Sequence, residues 1–343
     1  MKSVAIIIPY FSKEIPREFP VFLKSCSYNS TITWILFTNW QKKYIKQYKV
    51  PKNVKIKKIN LKFIENKVQK ILKNKNIRIC SPYKLCDYKP MYGELFQEYL
   101  KEFDYWGYSD IDVIYGDLRK YISKPLSENY DRIGTLGHFT LFRNCIKVNQ
   151  RYRLPYKIKG KEESFENNVV TTQEIMCFDE RCGINLIYDQ NNFSTYSNPN
   201  LLAEIRWTHL DLLITEKKYA SKDSVWLWEN GKTIYFYKNK NKIYSIEKGY
   251  FHFQKRKHFN QFINCRSQYN KFIIGTNGYQ IIKSKLDVSN LFNYNKSPYL
   301  KRLRYFCSII FLTPAMTKKH IGKLYLPIRY LINRTIKERK FDI

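Results

Sequence analysis

Residues 4–8 of the stretch SVAIIIPY (3–10) are apolar without a break, and Pro9 closes the run. A short apolar run with no alternation, bounded by proline, predicts a strand buried on both faces. Residues 19–27 place Phe19, Phe22, Leu23 and Cys26 at helical spacing, and TWILFT (33–38) reads as a second buried strand. VKIKKINL (54–61) alternates and predicts a strand nearer an edge. From 63 to 72, Phe63, Ile64, Val68, Ile71 and Leu72 form one helical stripe. This alternation of strands and helices predicts an α/β fold with right-handed crossovers and ligands beyond the carboxyl ends of the strands. Further on, RIGTLGHFTLFRN (132–144) predicts an apolar strand carrying His138 to Thr140, with Gly134 and Gly137 allowing close backbone approach. Residues 151–168 are polar and predict a loop. Residues 171–188 predict a helix that starts at Thr171 or Thr172 and breaks near Gly183. Residues 233–237 and 242–246, separated by KNKN, predict a hairpin.

The chemistry gathers around WGYSDIDVIYGDLRKY (106–121), where an aromatic run leads into Asp110-Ile111-Asp112 and then Val113-Ile114-Tyr115. Two carboxylates at the end of a buried strand are costly unless a cation binds there. On an extended backbone they share a face and reach one ion, and hard oxygen ligands favour Mg²⁺ or Mn²⁺. The competing reading is a turn that one carboxylate caps. SPYKLCDYKPMYGEL (81–95) carries Lys84, Asp87 and Lys89 between Pro82 and Pro90, with a helix expected from Pro90. Lysines entering a helix N-terminus suit a diphosphate, and they equally suit a solvated surface. No glycine-rich loop follows the first strand, which argues against a dinucleotide fingerprint or a P-loop. Any nucleotide is therefore held by side chains. His138 fits substrate contact or a satisfied core position. Glu174, Asp179 and Glu180 fit a general base or an acidic helix end. His252, between Phe251 and Phe253 and followed by Lys255, Arg256 and Lys257, fits a metal–diphosphate clamp.

Charge changes the picture less than its size suggests. Lys and Arg number 61 against 29 Asp and Glu, a net +32 over 343 residues. That suits nucleic acid, an anionic membrane or a phosphate-rich substrate, and equally a solvated surface in a chain rich in Lys, Asn, Ile and Tyr. Eight cysteines without a C-x-x-C pair suit reduced thiols in a cytoplasm. No secretory leader or 20-residue apolar span is expected from the pattern. From residue 296 the tail has 12 Lys or Arg against Glu338 and Asp342, interleaved with apolar residues. It fits helices on an anionic bilayer surface or a helical cap on the core.

Taken in order, AIIIPYF, SPYKLCDYKP, WGYSDIDVIYGDL, GHFTLFRN, CFDE and YFHFQKRK resemble a bacterial family of GT-A-like glycosyltransferases found with capsule and lipopolysaccharide genes. The resemblance spans residues 1–258. It implies a GT-A-like single Rossmann-type mixed sheet flanked by helices (1–290), followed by a basic helical tail (291–343). It implies Asp110, Asp112 and His252 as ligands of Mn²⁺ or Mg²⁺, with Asp110, Lys255 and Arg256 facing the nucleotide-sugar donor, joined on the reading of their own stretch by Lys84, Asp87 and Lys89. His138, Asp179 and Glu180 would then lie on the acceptor side as catalytic candidates. The implied activity is sugar transfer to a cell-surface polysaccharide or lipid-linked glycan, with retention favoured by His252. It would take place in the cytoplasm or on the inner membrane face, with no nucleic acid as partner. A basic nucleic-acid-binding protein and a non-catalytic membrane-surface scaffold are the alternatives.

Overall fold

The computed structural model describes residues 1–180, 182–205, 212–253, 269–276, 278–282 and 291–295. The chain divides into two compact units, one of Met1–Arg206 with Asp211–Lys296, the other of Trp207–Leu210 with Ser297–Ile343. All described residues lie in the first unit. The basic tail from 296, together with Lys255 and Arg256, falls outside them. No helix among the described residues is long and apolar enough to cross a membrane.

The first strand, β1 (Val4–Pro9), is followed by α1 (Phe19–Ser27), β2 (Ile32–Thr38), β3 (Val54–Lys58) and α2 (Leu61–Ile71). β1 pairs with β2, and β2 with β3, all parallel. Val4, Ile6 and Ile8 pack on one face of the sheet with Trp34 and Leu36, while Ala5 and Ile7 pack on the other with Ile35 and Phe37. Both faces are buried, which is why the strands read as unbroken apolar runs. β3 ends three residues earlier than its alternation suggests. Asn60 caps α2 instead, its side chain accepting from the Phe63 N–H at 2.8 Å.

After α2 the chain crosses back to β4 (Tyr105–Ser109), which pairs parallel with β1 on the side away from β2. β5 (Val113–Tyr115) and α3 (Arg119–Ser127) follow. β6 (Arg132–Leu136) and β7 (Phe139–Arg143) form an antiparallel hairpin where the sequence predicts one strand, and β7 runs antiparallel to β4. α4 (Ile184–Gln190) leads to β8 (Thr195–Tyr196), parallel to β6. The seven-stranded order is therefore β8-β6-β7-β4-β1-β2-β3, with β7 alone reversed. This is the α/β architecture expected, a large mixed sheet flanked by helices, but it is not the single sheet expected, because further sheets accompany it.

A second sheet joins β9 (Leu202–Glu204), β13 (Tyr250–His252) and β5. Between β9 and β13 in the chain lie β10 (Ser224–Glu229), β11 (Lys232–Asn239) and β12 (Lys242–Lys248), which with β14 (Lys271–Gly275) and β15 (Gly278–Ile281) make an antiparallel sheet. β11 and β12 are the predicted hairpin, closed by Lys240 at φ 53°. Leu291 and Phe292 pack beside Val225, Leu227 and Ile273 of this sheet.

Two expectations fail for stated reasons. The helix from Pro90 is a 3₁₀ turn (Lys89–Met91) followed by two α-turns, Tyr92–Leu95 and Gln97–Leu100, interrupted where Phe96 leaves helical geometry at φ −118° and ψ 22°. The helix predicted from Thr171 does not form. Asp87, fully buried, accepts from the backbone N–H groups of Met176 (2.9 Å) and Phe178 (3.1 Å), and Cys177 sits at φ 54°. Those N–H groups are withdrawn from any i→i−4 ladder. The buried Asp87 is paired with Lys84 at 2.9 Å, and Lys84 also donates to the Glu174 carbonyl at 2.7 Å. Removing one partner of such a pair strands the other charge, so Asp87→Ala should destabilise by about 3–5 kcal/mol in urea unfolding. A loss below about 1 kcal/mol would contradict this reading.

Candidate functional site

The chain leaves β1 for β2 on one side, and β4 flanks β1 on the other. Their carboxyl ends therefore meet at a switch point, where a sheet of this kind opens a crevice. There the structure has a cavity of about 900 Å³, lined by Pro9 to Phe11 beyond β1 and by Ser109 to Asp112 beyond β4. Its charged lining is Glu18, Asp110, Asp112, Asp179, Glu180 and Glu204 against Arg17 and Lys89. In a chain of net +32, a pocket lined by six carboxylates and two cationic side chains stands out as an acidic site.

Asp110 and Asp112 do not lie on a strand, as the sequence predicts, but on the bend between β4 and β5. β4 stops at Ser109, whose hydroxyl donates to the His138 carbonyl at 2.9 Å and accepts from the Tyr115 hydroxyl at 2.7 Å. The chain turns there because Val113 must join the second sheet opposite His252. That pairing brings the His252 ring beside Asp112, with Nε2 3.6 Å from Oδ1. One ligand atom each from Asp110, Asp112 and His252 lies within 4.8 Å of the others. Burial pushes the His252 imidazole down, but the Asp112 carboxylate, with Asp110 and Glu204, outweighs it and holds the pKa above the ordinary value.

Lys89 is buried and reaches three segments. Its ammonium donates to Asp110 Oδ1 at 2.8 Å and to the Gly137 carbonyl at 2.7 Å, and lies 3.3 Å from Asp179 Oδ2. Burial alone lowers its pKa, yet the neighbouring Asp110, Cys86 and Asp179 hold it well above the usual lysine value. Asp179 is the less compensated carboxylate. Burial, with Glu180, Asp110 and Asp87 nearby, outweighs the attraction of Lys89 and raises its pKa to about 7. Glu180 Oε1 accepts from the Gly137 N–H at 2.8 Å. A methyl at Gly137 would stand 2.3 Å from Asp179 Oδ2 and 2.9 Å from Glu180 Oε1, so a larger residue requires both carboxylates to shift.

His138 sits at the β6–β7 turn, stacked on His252 with ring centroids 4.0 Å apart. Its pKa lies well below the ordinary value, through burial first and then the charges of His252 and Lys89. The structure therefore brings together Asp110, Asp112, His252, Lys89, His138, Asp179 and Glu180. It does not bring Lys84 or Asp87 to the cavity: they form the internal pair already described and cannot face a donor. Lys255 and Arg256 lie outside the described residues. Sequence reasoning missed Glu204, whose β9 pairs parallel with β13 so that Glu204 lies opposite His252. It also missed Tyr10 and Glu18. Burial, then Glu18 and Asp112, push the Tyr10 pKa up to about 12. Three-residue strands carry no local signal of their partner, and nothing in the chain near Glu204 announces it.

Residues 6–283 match the family of unknown function DUF6625, and the chain belongs to that family. No curated protein matches it. Among solved structures it is similar to core-mannan synthase A from Aspergillus fumigatus in its Mn/GDP form, at 14% identity and a TM-score of 0.23. The match covers 40% of this chain and 42% of that one, so the chain spans about two fifths of the length of that structure.

Two predictions follow from the carboxylates. Asp179 rises from 3.8 in the unfolded chain to about 7 when folded. Its contribution to stability is therefore full below pH 3.8 and is lost as pH rises through about 7. In metal-free thermal unfolding from pH 4 to 8, the melting temperature of the native chain should fall relative to Asp179→Asn. Parallel curves would contradict the shift. Gly137→Ala should displace the carboxylates of Asp179 and Glu180 and lower the melting temperature by several degrees; an unchanged melting temperature would contradict the tight fit at this turn.

Proposed function

We propose that this chain is a divalent-cation-dependent glycosyltransferase on a GT-A-like plan. It moves a sugar from a nucleotide-sugar donor to a cell-surface polysaccharide or lipid-linked glycan. The observation that carries this reading is the convergence of Asp110, Asp112 and His252, with ligand atoms within 4.8 Å, at the switch-point cavity. The donor set fits the ion: two hard carboxylates and one imidazole suit Mn²⁺ or Mg²⁺. Once bound, such an ion supplies neutralisation of the charge that grows on a departing diphosphate.

The chain's own residues do the rest. Asp110, Asp112 and His252 would hold the ion, and the repulsion between the two carboxylates is offset by it and by Lys89. Lys89 keeps Asp110 oriented while gripping the Gly137 carbonyl, so the metal side and the Asp179–Glu180 side stay in register. Asp179, with a pKa of about 7, is poised to take a proton from an acceptor hydroxyl near neutral pH. In a retaining course the departing phosphate takes that proton and Asp179 orients the acceptor; His252 as ligand favours this course. The proposed setting is surface-polysaccharide synthesis in the cytoplasm or at the inner membrane face, with the basic tail on anionic lipid.

Thermal unfolding with a panel of nucleoside diphosphates, with and without Mn²⁺, tests the reading. One nucleotide should stabilise the protein only when Mn²⁺ is present, by about 2.7 kcal/mol at 100 times its dissociation constant. Asp112→Ala should abolish the shift. No shift with any nucleotide, in folded protein, would favour the scaffold.

A further inference from the structure

We propose that His138, Glu204 and His252 form a second cation site, suited to a tetrahedral, nitrogen-seeking ion such as Zn²⁺, that competes with the Asp110–Asp112–His252 group for His252. One ligand atom each from His138, Glu204 and His252 lies within 4.8 Å of the others. A second observation points to a ligand there. His138 Nε2 and His252 Nδ1 are buried without a hydrogen-bond partner, on side chains belonging to residues 3% and 8% exposed. A buried polar nitrogen left unpaired is destabilising, and a coordinated ion removes that cost.

The other ring nitrogens are already engaged. His138 Nδ1 meets the Tyr250 hydroxyl at 3.1 Å, and His252 Nε2 faces Asp112 Oδ1 at 3.6 Å. A ligating histidine is ordinarily held in this way, through its second nitrogen. The scaffold is also built. Glu204 and His252 are register partners in the parallel β9–β13 pair, and His138 comes from the β6–β7 turn stacked on His252. A tetrahedral ion with Zn–N bonds of about 2.0–2.1 Å holds its ligand atoms about 3.3–3.4 Å apart. To take an ion, the ligand atoms have to close together and the stacked His138 and His252 rings, now 4.0 Å apart, have to swing open so that both lone pairs meet it.

Chemistry separates the two groups. Two carboxylates and one imidazole take hard ions, whereas two imidazoles and one carboxylate take Zn²⁺ with a fourth position open. A neutral imidazole has one lone pair to give, so His252 cannot serve both ions fully. Zn²⁺ in the second site therefore weakens Mn²⁺ in the first. The competition rests on the proposed transferase reading, but the second site itself does not.

The test is titration of the full-length protein with Zn²⁺ by calorimetry, and with Co²⁺ by visible absorption. One ion should bind, with Co²⁺ showing tetrahedral bands and no thiolate charge-transfer band. His138→Gln and Glu204→Gln should each weaken it at least tenfold, while Asp110→Asn retains it. Bound Zn²⁺ should raise the Mn²⁺ concentration needed for the nucleotide-dependent thermal shift. Zn²⁺ affinity indifferent to both His138→Gln and Glu204→Gln, or a thiolate band, would overturn the site. If the Mn²⁺-dependent shift is missing while Zn²⁺ still depends on His138 and Glu204, the transferase reading fails and the site stands.

Discussion

The arrangement of the cavity depends on one buried ammonium. Lys89 is 6% exposed, yet it spans the Asp110 carboxylate, the Gly137 carbonyl and the Asp179 carboxylate. Three stretches far apart in the chain converge on it: the bend after β4, the β6–β7 turn, and the irregular segment after Cys177. Without it, the carboxylates of Asp110 and Asp179 would face each other across the cavity without that shared cation. With it, they are held a few ångströms apart and one of them, Asp179, is left about half protonated at pH 7.

The second constraint is the small sheet. β5 is only three residues long, but it is flanked by β13, and β13 by β9. That pairing sets Asp112, His252 and Glu204 side by side, and it is the reason the chain bends after Ser109 instead of extending β4. A hydrophobic cluster that includes Ile114, Phe251, Trp226 and Trp228 stands behind it. The Trp228 indole donates to the Tyr115 carbonyl at 2.9 Å, tying the antiparallel sheet to the strand that leaves the Asp110–Asp112 bend. Precise placement of the ligands thus rests on ordinary core packing a few residues away.

How much of this was legible in the chain follows from how local each signal is. The runs at 4–8 and 33–38 and the stripe at 63–72 foretold β1, β2 and α2, because burial on both faces or on one helical face leaves its period in the residues themselves. The Asp-x-Asp and His252 stood out for their apolar surroundings. Other features depend on contacts that sequence spacing does not encode. Lys84 and Lys89 looked alike, but Lys84 has Asp87 three residues on and turns inward, whereas Lys89 finds its carboxylates from distant segments. The Thr171 helix failed because Asp87, some ninety residues upstream, captures its backbone. Glu204 acquired its place only through pairing between two three-residue strands.

The central claim is that Asp110, Asp112 and His252 hold one divalent ion in the switch-point cavity. Mn²⁺ titration followed by electron paramagnetic resonance, counting free Mn²⁺ directly, tests it most simply. One site should be seen, weakened at least tenfold by each of Asp112→Asn and His252→Ala and unaffected by Glu98→Gln on the distant surface. Mn²⁺ binding that is absent, or indifferent to Asp112 and His252, would contradict the account.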